Sequence, residues 1–422
     1  MSRRLDGGDK GAKVPAWPAP ERGLRARKTR VARWAAFGLL VAALSVVAAG
    51  CGGGDDGGGD WQIEGLGSSL EEIQENAKAE GQVDLVAWSG YVEKDWVTPF
   101  EQQTGCKVNA KLGATSDEMV TLMRTGNYDG VSASGDATLR LIAAKDVAPV
   151  NHDLIPNYEN VFEGLKGQPH NTVDGVSYGV AHGRGANLLI WNTDEIPGAQ
   201  DSWSIVWETD SPAAGKISIY DSPIYIADAA VYLMATQPDL NITDPYELDE
   251  EQFNAAVALL KQQAEIAGEY WTSAATQIQS FAGGNSTAGT TWQYQVNQLQ
   301  GADPPAPVEG TLPEEGSTGW SDTWMIASTA NHPNCMYLWM DYIISPEANA
   351  KATEYFGEAP VSEEACSLTQ DPDHCTTFHA TDEDYFSKVY YWSTPVTDCG
   401  DDRGEVCKDY SEWTQAWTEI RG

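Results

Sequence analysis

From about residue 69 onward the chain alternates compact apolar runs with stretches of helical spacing. Ser69 and Glu72 stand at capping-box distance and predict a short helix ending near Ala79. The apolar run over 83–88 reads as a buried strand. A helix over 96–104, a strand over 107–112, a helix over 116–124 opened by Thr115 and Glu118, and a strand over 130–133 follow it. This βαβαβ order predicts a parallel sheet covered on both faces. A second series begins with a strand over 216–220, helices over 226–236 and 250–267, a strand over 286–291 and a helix over 292–299. Beyond the Pro/Gly-rich stretch 301–319 come a strand over 323–327 and helices over 333–344 and 346–356. Two α/β units account for the pattern. Ligands of open α/β sheets bind beyond the carboxyl ends of strands, so chemistry is expected just after Trp88, Ala133, Tyr220 and Thr291.

Charge divides the chain in a way the apolar pattern does not show. The first 50 residues carry ten basic and three acidic side chains, a net +7, so the remaining 372 carry −43 of the whole-chain −36. A body this acidic repels phosphate backbones, which excludes nucleic-acid binding and favours cationic partners. Its length also exceeds what one compact core usually takes. The basic run 25–33, the uncharged stretch 34–50 and the small residues Ala48-Ala49-Gly50 before Cys51 form the pattern of an export signal, too short and wrongly flanked for a stop-transfer helix. The small residues before cysteine resemble a bacterial lipobox, with Ala48 where that pattern prefers Leu. Lipidation of Cys51 and anchorage to a membrane surface are therefore expected. Residues 52–60, only Gly and Asp, predict a flexible tether.

Six further cysteines, Cys106, Cys335, Cys366, Cys375, Cys399 and Cys407, suit an oxidising compartment. They allow many pairings, and sequence does not choose among them. Short spacing favours Cys366 with Cys375 and Cys399 with Cys407, and Cys106 with Cys335 is a candidate third pair. Neither CxxC nor HExxH occurs and the histidines lack ligand spacing, so neither a metal nor another cofactor is expected. A P-loop is absent, and Gly183-Arg184-Gly185 is too short for a dinucleotide fingerprint. With 62 acidic residues, carboxylate pairs such as Asp117-Glu118 arise by chance and do not argue for a glycosidase.

Several strings resemble one family. Val86-Ala87-Trp88-Ser89-Gly90-Tyr91-Val92, then Phe100-Glu101 and Thr104-Gly105 before a second strand, look like the opening of the spermidine/putrescine-binding proteins of ABC importers. Asp117-Glu118-Met119 to Tyr128-Asp129-Gly130-Val131, Gly183-Arg184-Gly185-Ala186-Asn187 to Ile190-Trp191-Asn192, and Gly319-Trp320-Ser321-Asp322 agree in order and spacing, so that the similarity spans 83–362. The resemblance implies an α/β, two-lobed periplasmic-binding-protein-like fold (type II) with the ligand cleft between the lobes, closing about a hinge. It implies a binding lipoprotein without enzymatic activity, a monomer outside the cytoplasm in the periplasm or on the cell surface, delivering a polyamine to a membrane permease. Carried across, it implies ligand contacts at Trp88, Tyr91, Ser134, Trp292, Trp320 and Asp322, with aromatic faces on the methylenes and carboxylates on the ammonium heads.

At three places the chain departs from the family. Asp136 and Glu358 stand where aromatics are usual, and Asp221-Ser222-Pro223-Ile224-Tyr225 keeps one acid where spermidine binders have a spaced pair. Asp136, Asp221, Tyr225 and Glu358 are therefore added as candidate contacts. Arg184 is expected either to pair with an acid such as Asp221 or to bind a ligand carboxylate, which keeps open an amine-carboxylate (amino-acid or opine-like) ligand. A sugar ligand and an extracellular hydrolase are the further alternatives. The expected organisation is a signal at 1–50, a tether at 51–68, a first lobe from 69–183 and 321–365, a second lobe at 184–320, and a disulfide-bearing segment at 366–422 that the resemblance leaves unexplained.

Overall fold

The computed structural model describes residues 63–113 and 115–422. The expected signal, Cys51 and most of the tether lie outside the described residues. Two five-stranded sheets organise the molecule. In the first lobe the strand order is Lys107–Leu112, Gln82–Ala87, Gly130–Ala133, Thr323–Ile326, Val180–Ala181. The first three run parallel, and Thr323–Ile326, returning from far along the chain, pairs antiparallel with Gly130–Ala133. The second lobe repeats the plan with Ala267–Trp271, Ile217–Tyr220, Ala288–Thr291, Leu188–Asn192 and Val308–Thr311. Three parallel strands there continue into two antiparallel ones.

Local chemistry sets several helix starts. Ser69 Oγ accepts from the Glu72 amide at 3.3 Å and Thr115 Oγ1 from the Glu118 amide at 3.1 Å, each cap stabilising its helix by about 1 kcal/mol. In the helix Lys94–Thr104, Trp96 and Phe100 share one face four residues apart and are buried, Phe100 lying edge-on to Trp339. The expected tether ends earlier than residue 68. Ile63 is buried, and Asn334 clamps the segment by accepting from the Gly67 amide and donating to the Gly65 carbonyl.

A small third sheet lies where the chain crosses between lobes. Its middle strand Ser317–Trp320 pairs antiparallel with Gly185–Ala186 and parallel with Val389–Tyr391. Two of these strands are crossing segments and the third comes from the C-terminal segment. That segment also completes the second lobe, because Trp392, Trp413 and Trp417 pack into its core with Trp207, Tyr225 and Ile219. The helix Tyr410–Arg421 that carries two of these tryptophans begins with a full capping box between Asp409 and Glu412.

Some elements differ from the sequence expectation. The stretch 301–319 holds two strands, Val308–Thr311 and Ser317–Trp320, and the helix expected over 250–267 stops at Ala264, with a strand starting at Ala267. These are short strands whose backbone bonds are satisfied only by distant partners, so tertiary pairing overrides Gly and Pro content. Disulfides join Cys106 to Cys335, Cys366 to Cys375 and Cys399 to Cys407. Among the described residues no helix is long and apolar enough to cross a membrane.

Candidate functional site

The strand Gln82–Ala87 leads to Tyr91, whose ring is fully buried in the first-lobe core against His182 and Phe356. Its hydroxyl donates to Asp322 Oδ2 at 2.7 Å and lies 3.2 Å from Glu358 Oε2. The end of the next strand, Gly130–Ala133, places Ser134 so that its Oγ donates to Asp322 Oδ1 at 2.6 Å. Trp320 Nε1 donates to Glu358 Oε2 at 3.1 Å. Residues from both chain passes through the first lobe and from the crossing sheet thus meet at two carboxylates. Asp136, also buried, accepts from Ser116 Oγ at 2.8 Å.

Burial governs the protonation of these acids. It pushes Asp322 up to about 6 despite the hydrogen bonds from Ser134 and Tyr91, and Asp136 up to about 6 despite Ser116 and Arg140. Glu358, fully buried and repelled by Asp322, rises well above the usual carboxylate range. The Tyr91 hydroxyl bridges Asp322 to Glu358, and Ser134, two residues before Asp136, holds the other oxygen of Asp322, so the three acids form a row with Asp322 in the middle. His182 Nε2 lies 3.5 Å from Glu358 Oε1, but this is not an ion pair. Trp324 Nε1 donates to His182 Nδ1, leaving the proton of the neutral ring on Nε2, and burial lowers that histidine to about 3. Burial thus disfavours the charged form of both partners.

Aromatic rings wall the acids on the second-lobe side. Trp292, anchored by its Nε1 to Asn187 Oδ1, meets Trp320 edge-on with centroids 5.5 Å apart. Tyr220 and Trp392 complete the cluster, stacked at 5.7 Å with planes 7° apart. The Gly183-Arg184-Gly185 string is explained by close approach: a Cβ at Gly183 would lie 2.7 Å from Glu358 Cδ, and one at Gly185 2.2 Å from Trp320 Cζ2.

Not every expected contact is here. Asp221 turns to Trp417 Nε1 and Arg421, and Tyr225 lies in the second-lobe core against Trp207 with its hydroxyl accepting from Gln263. Arg184 pairs with Glu383 at 2.7 Å and donates to the Ala380 carbonyl, so it neither bridges to Asp221 nor stands open to an anion. Trp88 packs on the first-lobe core with its Nε1 buried and unpartnered. Tyr220, Trp392 and Asp228 were not anticipated from the sequence. Asp228 is buried beneath the crossing strand, accepts from Thr318 Oγ1 at 3.0 Å, and is pushed up to about 8. Tyr220 alone carried a signal, as the last residue of a predicted strand.

Two other constellations are structural in character. Asp84, Asp129 and His332 bring ligand atoms within 4.8 Å of one another, but Asp129 is occupied by the amides of Asp84, Asn331 and His332 and by His332 Nδ1. Gly175-Val176-Ser177-Tyr178-Gly179 spells a nucleophile elbow, yet Val176–Ser177 is half of a two-stranded hairpin, not a strand-to-helix turn.

Comparison with known proteins agrees with this architecture. A family model described as bacterial extracellular solute-binding protein matches residues 95–374. A putrescine/agmatine-binding protein of Pseudomonas aeruginosa is 24% identical over 310 residues, covering 69% of this chain and 81% of the relative. Spermidine/putrescine-binding periplasmic protein 1 of Haemophilus influenzae is 23% identical, covering 72% and 82%. The spermidine/putrescine ABC transporter substrate-binding protein PotD of Streptococcus pneumoniae superposes with a TM-score of 0.64 at 16% identity, covering 81% of this chain and 97% of that one. MotA of A. tumefaciens, solved with glucopine, gives 0.64 at 18%, covering 81% and 100%. With two α/β lobes about a cleft and a family match over most of its length, this chain belongs to the bacterial extracellular solute-binding proteins, which bind and transport solutes rather than transform them.

Proposed function

We propose that this protein captures a small polyamine between its lobes and presents it to an ABC permease, held at the membrane surface through lipidated Cys51. One observation carries the reading. Three buried acids, Asp322, Asp136 and Glu358, stand beside aromatic faces, and among the described residues no lysine or arginine lies within ion-pair distance of any of them. Burying carboxylates without a paired counter-charge costs several kcal/mol, which Arg140, paired with Asp117, offsets only in part at Asp136, and their raised pKa values record that cost. A ligand with ammonium heads removes it, while Trp292 and Trp320 supply faces worth about 0.5–2 kcal/mol each to a cation. Tyr91 and Ser134 orient Asp322 to receive a head, and Trp88 borders the same strand end. The names of the relatives above, among them putrescine and spermidine binders, point the same way.

An amine-carboxylate ligand is less well supported. The cation best placed to receive its carboxylate, Arg184, is already paired with Glu383. Calorimetric titration with putrescine, spermidine, agmatine, an opine and an oligosaccharide tests the choice. Binding confined to the amines is expected, and binding confined to the opine or the sugar would overturn it.

The raised pKa values predict opposite pH trends for the free and the loaded protein. A carboxyl that holds its proton more tightly folded than unfolded stabilises the fold as pH falls. For Asp228, near 8, and for Asp322 and Asp136, near 6, that gain builds through these values and is complete below the ordinary 3.8. Ammonium binding needs the ionised acids, so affinity weakens as pH drops below about 6. The melting-temperature increase with saturating putrescine should therefore be larger at pH 8 than at pH 5. An equal or larger increase at pH 5 would contradict ionised carboxylates as the binding groups.

A further inference from the structure

The family match ends at residue 374, yet the chain beyond it reaches the cleft. Strand Val389–Tyr391 lies in parallel register on Ser317–Trp320, with Tyr391 opposite Gly319. The next residue on each strand is a tryptophan, so Trp392 falls beside Trp320. The Trp392 amide donates to the Gly319 carbonyl at 2.7 Å, and the Tyr246 hydroxyl holds the Tyr390 carbonyl at 2.9 Å. The backbone is thus fixed on the second lobe by bonds that leave the indole free to face the cluster.

From there the same segment reaches the first lobe. Thr394 Oγ1 donates to the Gly135 carbonyl at 3.1 Å, and a Cβ on Gly135 would lie 1.5 Å from the Trp392 carbonyl oxygen. Gly135 sits between Ser134, which holds Asp322, and Asp136. Farther on, the Arg140 guanidinium lies over the Tyr410 ring at 4.5 Å. The segment is a strap across the two lobes at the Asp136 end of the acid row. Trp392 is 6% exposed, stacked on Tyr220, and its Nε1 has no acceptor.

We propose that Trp392 is a ligand-contacting, length-determining residue: with Tyr220 it closes the Asp136 end of the site, so that a short diamine spans the acid row and a longer polyamine meets a wall. The proposal rests on reading the row as an amine site. The indole face is a platform for the terminal methylenes and ammonium. The strap also makes site closure depend on a segment outside the family match.

The test is calorimetric titration of the purified wild-type, W392A and W392F proteins with putrescine and spermidine. W392A is expected to weaken putrescine binding by about tenfold, the scale on which truncating a buried aromatic contact acts. Because the end wall is removed, spermidine should lose less, raising the spermidine-to-putrescine affinity ratio by about fivefold, the scale of selectivity that pocket shape supplies. W392F, smaller and without the N–H, should move the ratio the same way by about twofold. If W392A does not fold, judged by circular dichroism, W392F decides alone. An unchanged ratio in the folded variants, whether both affinities fall together or neither moves, would overturn the assignment and leave Trp392 a packing residue. Wild-type protein that bound neither amine would instead sink the amine reading of the site, and this inference with it.

Discussion

Asp322→Asn is expected to weaken polyamine binding by at least about 30-fold while leaving the free protein as stable as before or more so at pH 8. Truncating one partner of a buried charge pair costs about 2–5 kcal/mol, and the lower end of that range is roughly 30-fold in affinity. Asp322 is the middle member of the acid row and accepts from Tyr91 and Ser134. An asparagine of the same shape keeps both neighbours satisfied, because its amide can donate to one hydroxyl oxygen and its carbonyl can accept from the other. What it removes is the ionised form, which burial disfavours in the free protein, where the group titrates near 6. The two effects have opposite signs, and this separates a binding role from a packing role. Calorimetry and thermal melts on the same samples decide between them. A variant that bound putrescine like wild type would remove Asp322 from the site, and one that melted well below wild type would make its role structural.

Converting Cys106 and Cys335 together to alanine is expected to lower the melting temperature by several degrees, more than removing either short disulfide. The residues are 229 apart, and the loop they close contains all five strands of the second-lobe sheet. Chain entropy for a loop of that size gives about 5 kcal/mol, against roughly 2.5 kcal/mol for each of the loops closed over 9 and 8 residues. For a domain of this length about 5 kcal/mol corresponds to roughly 7 °C. Both cysteines are fully buried, so alanine avoids stranding a hydroxyl. The bond joins the start of the second strand to the helix Pro333–Ile343 on which residues 65–80 also dock through Asn334 and Glu80. Protease sensitivity near residues 63–80 should rise with the loss. If removing Cys366–Cys375 cost more than removing Cys106–Cys335, the loop-closure account would fail.

Much of the scaffold was readable because its determinants are local. The caps at Ser69 and Thr115, the apolar runs before Trp88 and Ala133, and the i, i+4 pair Trp96 and Phe100 act within a few residues of one another. The capping box Asp409–Glu412 is an equally local signal for the last helix, although the sequence expectation left that stretch unassigned. The strands Val308–Thr311 and Ser317–Trp320 could not be read this way, since their hydrogen bonds go to Asn192 through Leu189, to Gly185 and to Val389.

The site divides along the same line. Tyr91, Ser134, Trp320, Asp322 and Glu358 were singled out through family resemblance, and the structure brings them within hydrogen-bonding distance of one another. Asp221, Tyr225 and Arg184 were singled out too, and the structure turns each toward the C-terminal segment or into a core. Nothing near Asp221 in sequence reveals Arg421, 200 residues away.

By itself, then, the sequence determined an acidic chain built of two α/β units, because net charge and strand–helix alternation are properties of contiguous residues. Tertiary structure alone decided which acids are buried together without an ion-pair partner, which aromatics face them, and that Trp392 joins the wall. Desolvation and pairing act through space between residues such as Tyr91 and Asp322, 231 positions apart, and no window along the chain contains both.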